Sequence, residues 1–147
     1  MGTGEPEFVR VRVRAGEVAD GGSWVYAWLD GEGAVAYVGA TGLHPAIRTW
    51  LHLHDPDPRV GRVGAGLPRA GSVDLDVLAM RVPEPVSRAD VRDAVAELLA
   101  AKGLLAADAL TTHLKPLVEP APEAVELAGR FVARLTTYVE QGRPELL

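Results

Sequence analysis

Cysteine is absent from the sequence, and no apolar run is long enough to cross a bilayer. The lack of cysteine excludes a disulfide framework and a zinc site built from thiolates, and it is typical of a reducing compartment. A membrane-spanning helix needs about 20 consecutive apolar residues, so we expect no membrane partner. The N-terminal residues also lack the basic region and apolar run of a secretion signal. These absences predict a soluble protein of the cytoplasm.

Positive charge is in short supply, since the formal net charge of the chain is −5 at pH 7. Lys and Arg supply most of the non-specific affinity for nucleic acid by neutralising phosphates, so we do not expect tight binding by this chain alone. Residues 41–72 nevertheless contain four arginines and only two aspartates, whereas residues 84–147 contain seven basic and ten acidic residues. Any nucleic-acid face should therefore lie on the middle third of the chain.

A chain of 147 residues with 48% hydrophobic content can bury one core, so we expect a single domain over residues 1–147. Strands are expected at residues 23–30 and 34–39, because both segments are rich in aromatic and β-branched residues and a glycine-containing turn lies between them. An even-length loop between these strands places Tyr26 directly opposite Tyr37, on one face of the hairpin.

A helix is expected after the hairpin, beginning near Pro45, because proline favours the first helical turn. His44, Arg48 and His52 recur at every fourth position, which places them in one polar stripe along this helix. Two hydroxyl-bearing rings would therefore lie near an arginine and a histidine. This combination suits the binding of a phosphate group.

The order of these residues resembles the signature of the GIY-YIG nucleases. In that family two short strands end in Gly-Ile-Tyr and Tyr-Ile-Gly, and a helix with Arg, and often with His one turn later, follows them. The resemblance covers about residues 23–118 and leaves residues 119–147 as a C-terminal helical extension. The matching residues are Trp24-Val25-Tyr26, Tyr37-Val38-Gly39, Arg48 and His52, with Glu97 in the position of the family's metal-binding Glu on a later helix.

The chain also departs from the family pattern. Trp24 and Val25 replace Gly and Ile in the first motif, so the close backbone approach that glycine permits is lost there. The family's frequent Asn beyond the metal-binding Glu is absent, and the bend before Arg48 is slightly long. No departure removes a residue that must do chemistry, but together they leave room for a copy of the domain without activity.

The resemblance implies an α/β fold of the α+β type, with a small, mainly antiparallel central sheet of three strands flanked by helices. It also implies a metal-dependent endonuclease that hydrolyses phosphodiester bonds in nucleic acid, with DNA as the first expected substrate. Arg48 would bind the scissile phosphate, Tyr26 would orient or deprotonate the attacking water, and Tyr37 would hold the phosphate or the water network. His52 would relay protons. Glu97 would hold one Mg²⁺ or Mn²⁺ ion, because hard cations prefer oxygen ligands.

Two other interpretations stay open. In the first, the chain is a GIY-YIG-like module without catalysis, which binds nucleic acid or a protein partner. In the second, a metal cluster of another enzyme class forms from His52, His54, Asp55 and Asp57. His52 and His54, however, diverge by about 200° on a helix. The sequence contains no separate DNA-reading domain, so target choice would need a homodimer, a partner or a basic loop.

The segments outside the hairpin and its helix have weaker patterns. Residues 9–14 alternate Val and Arg, which predicts an extra N-terminal strand, and residues 15–22 are typical of a loop. Residues 55–72 are rich in Pro and Gly, which predicts a flexible basic flap beside the site. The residues that we expect to contact the substrate there are Arg59, Arg62 and Arg69, together with Gly39 of the hairpin.

The second half of the chain is expected to add one strand and three helices. Residues 73–82 predict the third strand, and a helix should run from a cap at Ser87 to about Lys102. Residues 104–118 fit a short helix. A last helix is expected over about residues 122–141, where it either closes the core or pairs with a second copy of the chain.

Overall fold

The computed structural model describes residues 10, 12–18, 22–110 and 121–143. Its strands are β1 (Val13–Arg14), β2 (Glu17–Val18), β3 (Trp24–Leu29), β4 (Val35–Thr41), β5 (Asp76–Arg81) and β6 (Leu105–Leu110). Its helices are α1 (Pro45–His54), α2 (Arg62–Gly66), α3 (Arg88–Ala101) and α4 (Pro122–Glu140), and a 3₁₀ helix spans Pro68–Gly71. The fold is therefore of the α+β class. None of the described helices is long and apolar enough to span a membrane.

The main sheet contains four strands in the order β5-β3-β4-β6. Strand β3 is antiparallel to both β4 and β5, whereas β6 lies parallel to β4. The three antiparallel strands agree with the prediction from sequence, but the added parallel strand makes the sheet mixed. Strands β1 and β2 form a separate two-stranded sheet.

Several elements lie where their local signals predicted them. Helix α1 begins at Pro45, and the Ser87 hydroxyl caps α3 by accepting a hydrogen bond from the Asp90 amide at 3.3 Å. Helix α4 covers most of the expected C-terminal helix, and β5 begins a few residues later than expected. The N-terminal prediction was less accurate, because β2 lies in a segment expected to be a loop. Parts of the expected strand at residues 9–14 lie outside the described residues.

The register of the β3–β4 hairpin differs from the predicted register. Tyr26 pairs with Gly39 rather than with Tyr37, and Tyr37 pairs with Trp28. Two shifts of one residue add up to this difference. The turn pairs Leu29 with Val35 instead of Ala34, and a β-bulge at Ala36 adds the second shift before Trp28 pairs with Tyr37. The two tyrosines still project from the same face, with their ring centroids 6.2 Å apart.

The prediction of a short helix in residues 104–118 is wrong, because residues 105–110 form strand β6. Gly103, with a φ angle of +66°, ends α3 and turns the chain back to the sheet. The Val35 amide then donates a hydrogen bond to the Leu104 carbonyl at 2.8 Å. Pairing with β4 thus overrides the helix propensity of this alanine-rich segment. Residues 111–118 lie outside the described residues.

Residues 55–72 were expected to form a flexible basic flap, but α2 and the 3₁₀ helix lie in this segment. Val63 and Leu67, four residues apart, are 0% and 1% exposed and anchor the segment on the sheet. Gly64 lets this segment lie close to α1, since a Cβ atom there would lie 2.6 Å from the Leu53 carbonyl oxygen. The segment is therefore a packed part of the domain.

The main sheet separates two apolar layers. Because side chains alternate along a strand, Val25, Ala27 and Leu29 of β3 face α3 and α4 in the larger layer. Tyr26 and Trp28 of the same strand face the opposite side, which α1, α2 and the 3₁₀ helix cover. The candidate site lies in this second, more aromatic layer.

Candidate active site

Four aromatic rings meet in the layer between the sheet and α1. His52 is 0% exposed and lies at the centre, with ring centroids 5.0 Å from Tyr37, 5.5 Å from Tyr26 and 5.8 Å from Trp28. The two tyrosines are 2% and 4% exposed. We call Tyr26, Trp28, Tyr37 and His52 the aromatic cluster. The structure therefore brings three of the predicted catalytic residues together.

Gly39 has a packing role in this arrangement. It pairs with Tyr26 across the hairpin, and a Cβ atom at Gly39 would overlap the hydroxyl and ring of Tyr26. Glycine therefore lets the tyrosine fold over strand β4 towards His52. The close approach of the Tyr26 ring therefore explains why the second motif ends in glycine. The contact of Gly39 with substrate stays a prediction.

The Tyr26 hydroxyl is the polar centre of the cluster. It forms a hydrogen bond with His52 Nε2 at 2.5 Å, and Arg48 and Tyr37 lie close enough to influence its pKa. Burial, with the nearby Tyr37, raises the pKa of Tyr26 well above its ordinary value, although Arg48 opposes this shift. Tyr26 therefore keeps its proton at neutral pH.

His52 is neutral over the physiological range. Burial, together with the positive charges of Arg48 and Arg62, lowers its pKa to about 3. Its Nδ1 atom is buried and has no hydrogen-bond partner among the described residues, as is also true of Trp28 Nε1. The imidazole can therefore exchange a proton with Tyr26 through Nε2, while no carboxylate in the described part of the chain orients the other side of the ring.

Arg48 connects the cluster to the surface. It lies on α1 between His44 and His52, one turn from each, and its side chain is only partly buried. His44 is exposed and caps the helix, where its Nδ1 accepts a hydrogen bond from the Ala46 amide at 3.2 Å. The predicted polar stripe therefore runs from the surface into the core. Arg48 is the member that can reach both Tyr26 and an external anion.

The three arginines predicted to contact substrate have different surroundings. Arg59 is exposed and forms an ion pair with Asp57 at 3.1 Å. Arg62 donates from Nε to the Arg59 carbonyl at 3.1 Å, and it lies near enough to His52 to lower its pKa. Arg69 forms ion pairs with Asp108 at 2.8 Å and with the buried Asp30 at 3.2 Å. Two of the three guanidinium groups are thus already paired with carboxylates.

Glu97 lies apart from the aromatic cluster. It is exposed on α3, and the buried residues of α3 pack on the face of the sheet opposite to Tyr26. No described cluster of three or more His, Asp or Glu side chains could hold a metal ion. The described residues therefore do not fit a metal held by Glu97 next to Tyr26, and its role as a ligand stays a prediction.

The alternative cluster of His52, His54 and two aspartates is not assembled. His52 is buried against Tyr26, whereas His54 is exposed and stacks on Trp50 with ring centroids 4.9 Å apart. The two histidines point in different directions, as their spacing on a helix requires. No metal site arises from this group within the described residues.

Trp28 belongs to the cluster although no family motif marks it. The signal that finds it is its position two residues after Tyr26, which puts both side chains on one face of a strand. Arg81 and Arg88 were also missed, because each is isolated in the sequence and only the fold brings them near the hairpin.

No protein-family model matched the chain, and searches among curated proteins and solved structures found no similar protein.

Proposed function

We propose that this chain is an endonuclease of the GIY-YIG type that hydrolyses phosphodiester bonds in nucleic acid, with DNA as the first substrate to test. The observation that supports the proposal is the hydrogen bond between the Tyr26 hydroxyl and His52 Nε2, with Arg48 beside the same hydroxyl. A hydroxyl hydrogen-bonded to a neutral imidazole is a usual arrangement for moving a proton in catalysis. A permanently charged guanidinium at that hydroxyl suits a phosphate substrate.

Arg48 would bind the scissile phosphate. Its planar fork can donate two parallel hydrogen bonds to non-bridging oxygens, and its charge offsets the negative charge that develops in the transition state. Because the same guanidinium lies near the Tyr26 hydroxyl, a phosphate on Arg48 would place its phosphorus atom near the phenol. A water molecule between them would lie within reach of both groups.

A phosphate bound to Arg48 would also change the pKa of His52, which accepts the proton. The positive charge of Arg48 is one cause of the low pKa of His52, and an anion on Arg48 would offset that charge. The pKa of His52 would then rise, although burial, the main cause of its low value, would still hold it below its ordinary value, and the imidazole would become a better base. The water proton would pass to the Tyr26 oxygen as the phenolic proton passes to Nε2, and the hydroxide would attack phosphorus. The bond between phosphorus and the leaving sugar oxygen would break at the same time, that oxygen would take up a proton from solvent, and His52 would then release its extra proton to solvent.

A non-catalytic module that binds nucleic acid or a protein partner is the second candidate. The observation that favours it is the burial of the reactive groups, since Tyr26, Tyr37 and His52 are all less than 5% exposed. In that case the aromatic cluster stabilises the fold, and Arg48 is a surface contact.

The two candidates differ in whether purified protein cuts DNA. We would incubate wild-type protein, Arg48→Ala and Glu97→Ala with supercoiled plasmid and single-stranded DNA in Mg²⁺, Mn²⁺ or EDTA. The matched control is Arg134→Ala, since Arg134 is an exposed arginine on α4, far along the chain from the cluster.

The nuclease proposal expects cleavage by the wild type and the control, and loss of cleavage in Arg48→Ala. Cleavage that needs a metal and disappears in Glu97→Ala would support the predicted ligand as well. Equal cleavage by wild type and Arg48→Ala would refute the proposed site. Absence of cleavage together with DNA binding would favour the non-catalytic module.

A further inference from the structure

Two arginines lie beside Trp24 and the Gly42 bend, at the end of the main sheet where β3 begins and β4 ends. Trp24 pairs with Thr41 on one side and with Arg81 on the other. The Arg81 guanidinium lies over the Trp24 ring, 4.7 Å from its centroid. Arg88, at the start of α3, lies at the bend after β4, since a Cβ atom at Gly42 would be 3.2 Å from its Nη2 atom.

Helix α1 adds two more nitrogen-bearing groups to this end of the sheet. The His44 ring lies 6.1 Å from the Trp24 ring, measured between centroids. Arg48 follows one helical turn later and shares a face of α1 with His44. We call Arg81, Arg88, His44 and Arg48 the basic rim. Its members come from three separate elements, β5, α3 and the start of α1.

The arginines of the basic rim have no carboxylate partner among the described residues, a property that they share with Arg62 and Arg134. Arg81, Arg88 and Arg48 form no ion pair with a carboxylate within the part of the chain that the structure describes. Elsewhere in that part, ion pairs with Asp or Glu are formed by Arg59, Arg69, Arg92, Arg130 and Arg143. In a chain with a net charge of −5, three guanidinium groups without a carboxylate partner at one end of the main sheet form a local surface for anions.

The geometry of Arg81 suits a phosphate. Stacking on Trp24 holds its guanidinium plane in one orientation, so less freedom is lost when the fork binds an oxyanion. Arg81 and Arg88 are both exposed. Several cations around one bend match a strand that carries successive phosphates better than they match a single small anion.

We propose that Arg81 and Arg88 bind backbone phosphates of the nucleic acid strand that flank the phosphate held by Arg48. This inference rests on the proposed action on nucleic acid. It replaces the expectation that the main phosphate contacts come from residues 55–72, where Arg59 and Arg69 are paired with carboxylates. It also gives the start of α3 a part in the interface, through Arg88 rather than through Glu97.

The test measures binding without cleavage, so it is independent of the nuclease assay. Fluorescence anisotropy in EDTA would follow a fluorescein-labelled single-stranded DNA of about 20 nucleotides, a length that can cover more than one site on such a surface. Affinities of wild type, Arg81→Ala and Arg88→Ala would be measured at several NaCl concentrations. Arg134→Ala is the matched control, Arg59→Ala tests the alternative that residues 55–72 make the main contacts, and circular dichroism would check that each variant is folded.

Each rim substitution should weaken binding several-fold at low salt. It should also reduce the magnitude of the slope of log K against log[salt] by about 0.7, the value for one lost phosphate contact on a single strand. The control Arg134→Ala should keep the wild-type slope, and Arg59→Ala should also keep it if the basic rim makes the main contacts. Inorganic phosphate at equal ionic strength should compete no better than chloride, which distinguishes a strand from a site for free phosphate.

Three results would overturn the inference. They are a wild-type slope in both rim variants, a loss of binding confined to Arg59→Ala, and an absence of measurable binding by the wild type. Strand binding that depends on Arg81 and Arg88 without any cleavage would refute the nuclease proposal and leave the basic rim intact. Cleavage that needs Arg48, together with DNA binding that the Arg81 and Arg88 substitutions do not change, would support the nuclease proposal and refute the proposed role of the basic rim.

Discussion

Replacing Gly39 with alanine should destabilise the protein through a clash with Tyr26. The new methyl group would overlap the Tyr26 hydroxyl and ring, so either the ring or strand β4 must move. Overpacking of this kind costs about 1–3 kcal/mol, and loss of the bond to His52 adds about 0.5–1.5 kcal/mol. We therefore expect the free energy of unfolding to fall by about 1.5–4.5 kcal/mol, when these two terms are added.

Urea unfolding followed by tryptophan fluorescence would measure this effect, and Gly129→Ala is the matched control. Gly129 lies in α4, and no described atom outside the backbone of its own helix lies within 4 Å of the position that a Cβ atom would take there. Alanine at this position should therefore stabilise the helix by about 0.5–1 kcal/mol, so the same substitution should have opposite signs at the two sites. In a Tyr26→Leu background, Gly39→Ala should cost at least about 1 kcal/mol less than in the wild type. A cost that persists unchanged in that background would refute the clash.

Three further changes test the packing and charges around the site. Arg69→Ala should lower stability by about 1–3 kcal/mol, because the buried Asp30, which is 3% exposed, loses its side-chain partner. The control Arg130→Ala removes an exposed ion pair and should change stability by less than about 0.5 kcal/mol. Leu67→Ala should cost about 2–5 kcal/mol in urea unfolding, because the side chain is 1% exposed. The pKa of His52 is lowered to about 3 in the folded chain, so unfolding takes up a proton, and stability should fall as pH decreases from about 6.5 towards 3.

Each of these expectations has a contradicting result. Equal losses in Arg69→Ala and Arg130→Ala would mean that the pair with Asp30 is unimportant. A loss below about 1 kcal/mol in Leu67→Ala would mean that α2 and the 3₁₀ helix do not stay packed in solution. For His52, the wild type should lose about 1–2 kcal/mol more than His52→Gln between pH 7 and pH 5; parallel pH profiles would show that the imidazole is not buried and neutral.

The elements with strong local signals could be predicted from the sequence. Pro45 at the first turn of α1, the Ser87 cap of α3 and the regular apolar stripe of α4 each act within a few residues of the chain. The two hairpin strands likewise follow from their aromatic and β-branched composition. These signals do not depend on how the elements pack.

The elements that depend on tertiary contacts could not be predicted. Strand β6 contains residues that favour a helix, and only its pairing beside β4 makes it a strand. The bulge at Ala36 shifts the hairpin register by an amount that the turn sequence does not reveal. Buried Val63 and Leu67 are too few in a segment rich in Pro and Gly to indicate α2 before the sheet is known.

Only part of the candidate site could be predicted, because the positions of its other residues also depend on tertiary contacts. Tyr26, Tyr37 and His52 are close in sequence, and one strand pair and one helix are enough to bring them together. Glu97 depends on which face of the sheet α3 covers, and its helix covers the face opposite to Tyr26. Arg81 and Arg88 depend on two more elements that reach the Gly42 bend.

The most direct test of the central proposal is the cleavage rate of Tyr26→Phe under single-turnover conditions on labelled DNA. The substitution removes only the hydroxyl that hydrogen-bonds with His52 and lies near Arg48, and thermal unfolding would confirm that the variant is folded. If this hydroxyl relays the proton, the rate should fall by about 10²–10⁴-fold. A Tyr26→Phe protein that cleaves at the wild-type rate would contradict the proposed catalytic site.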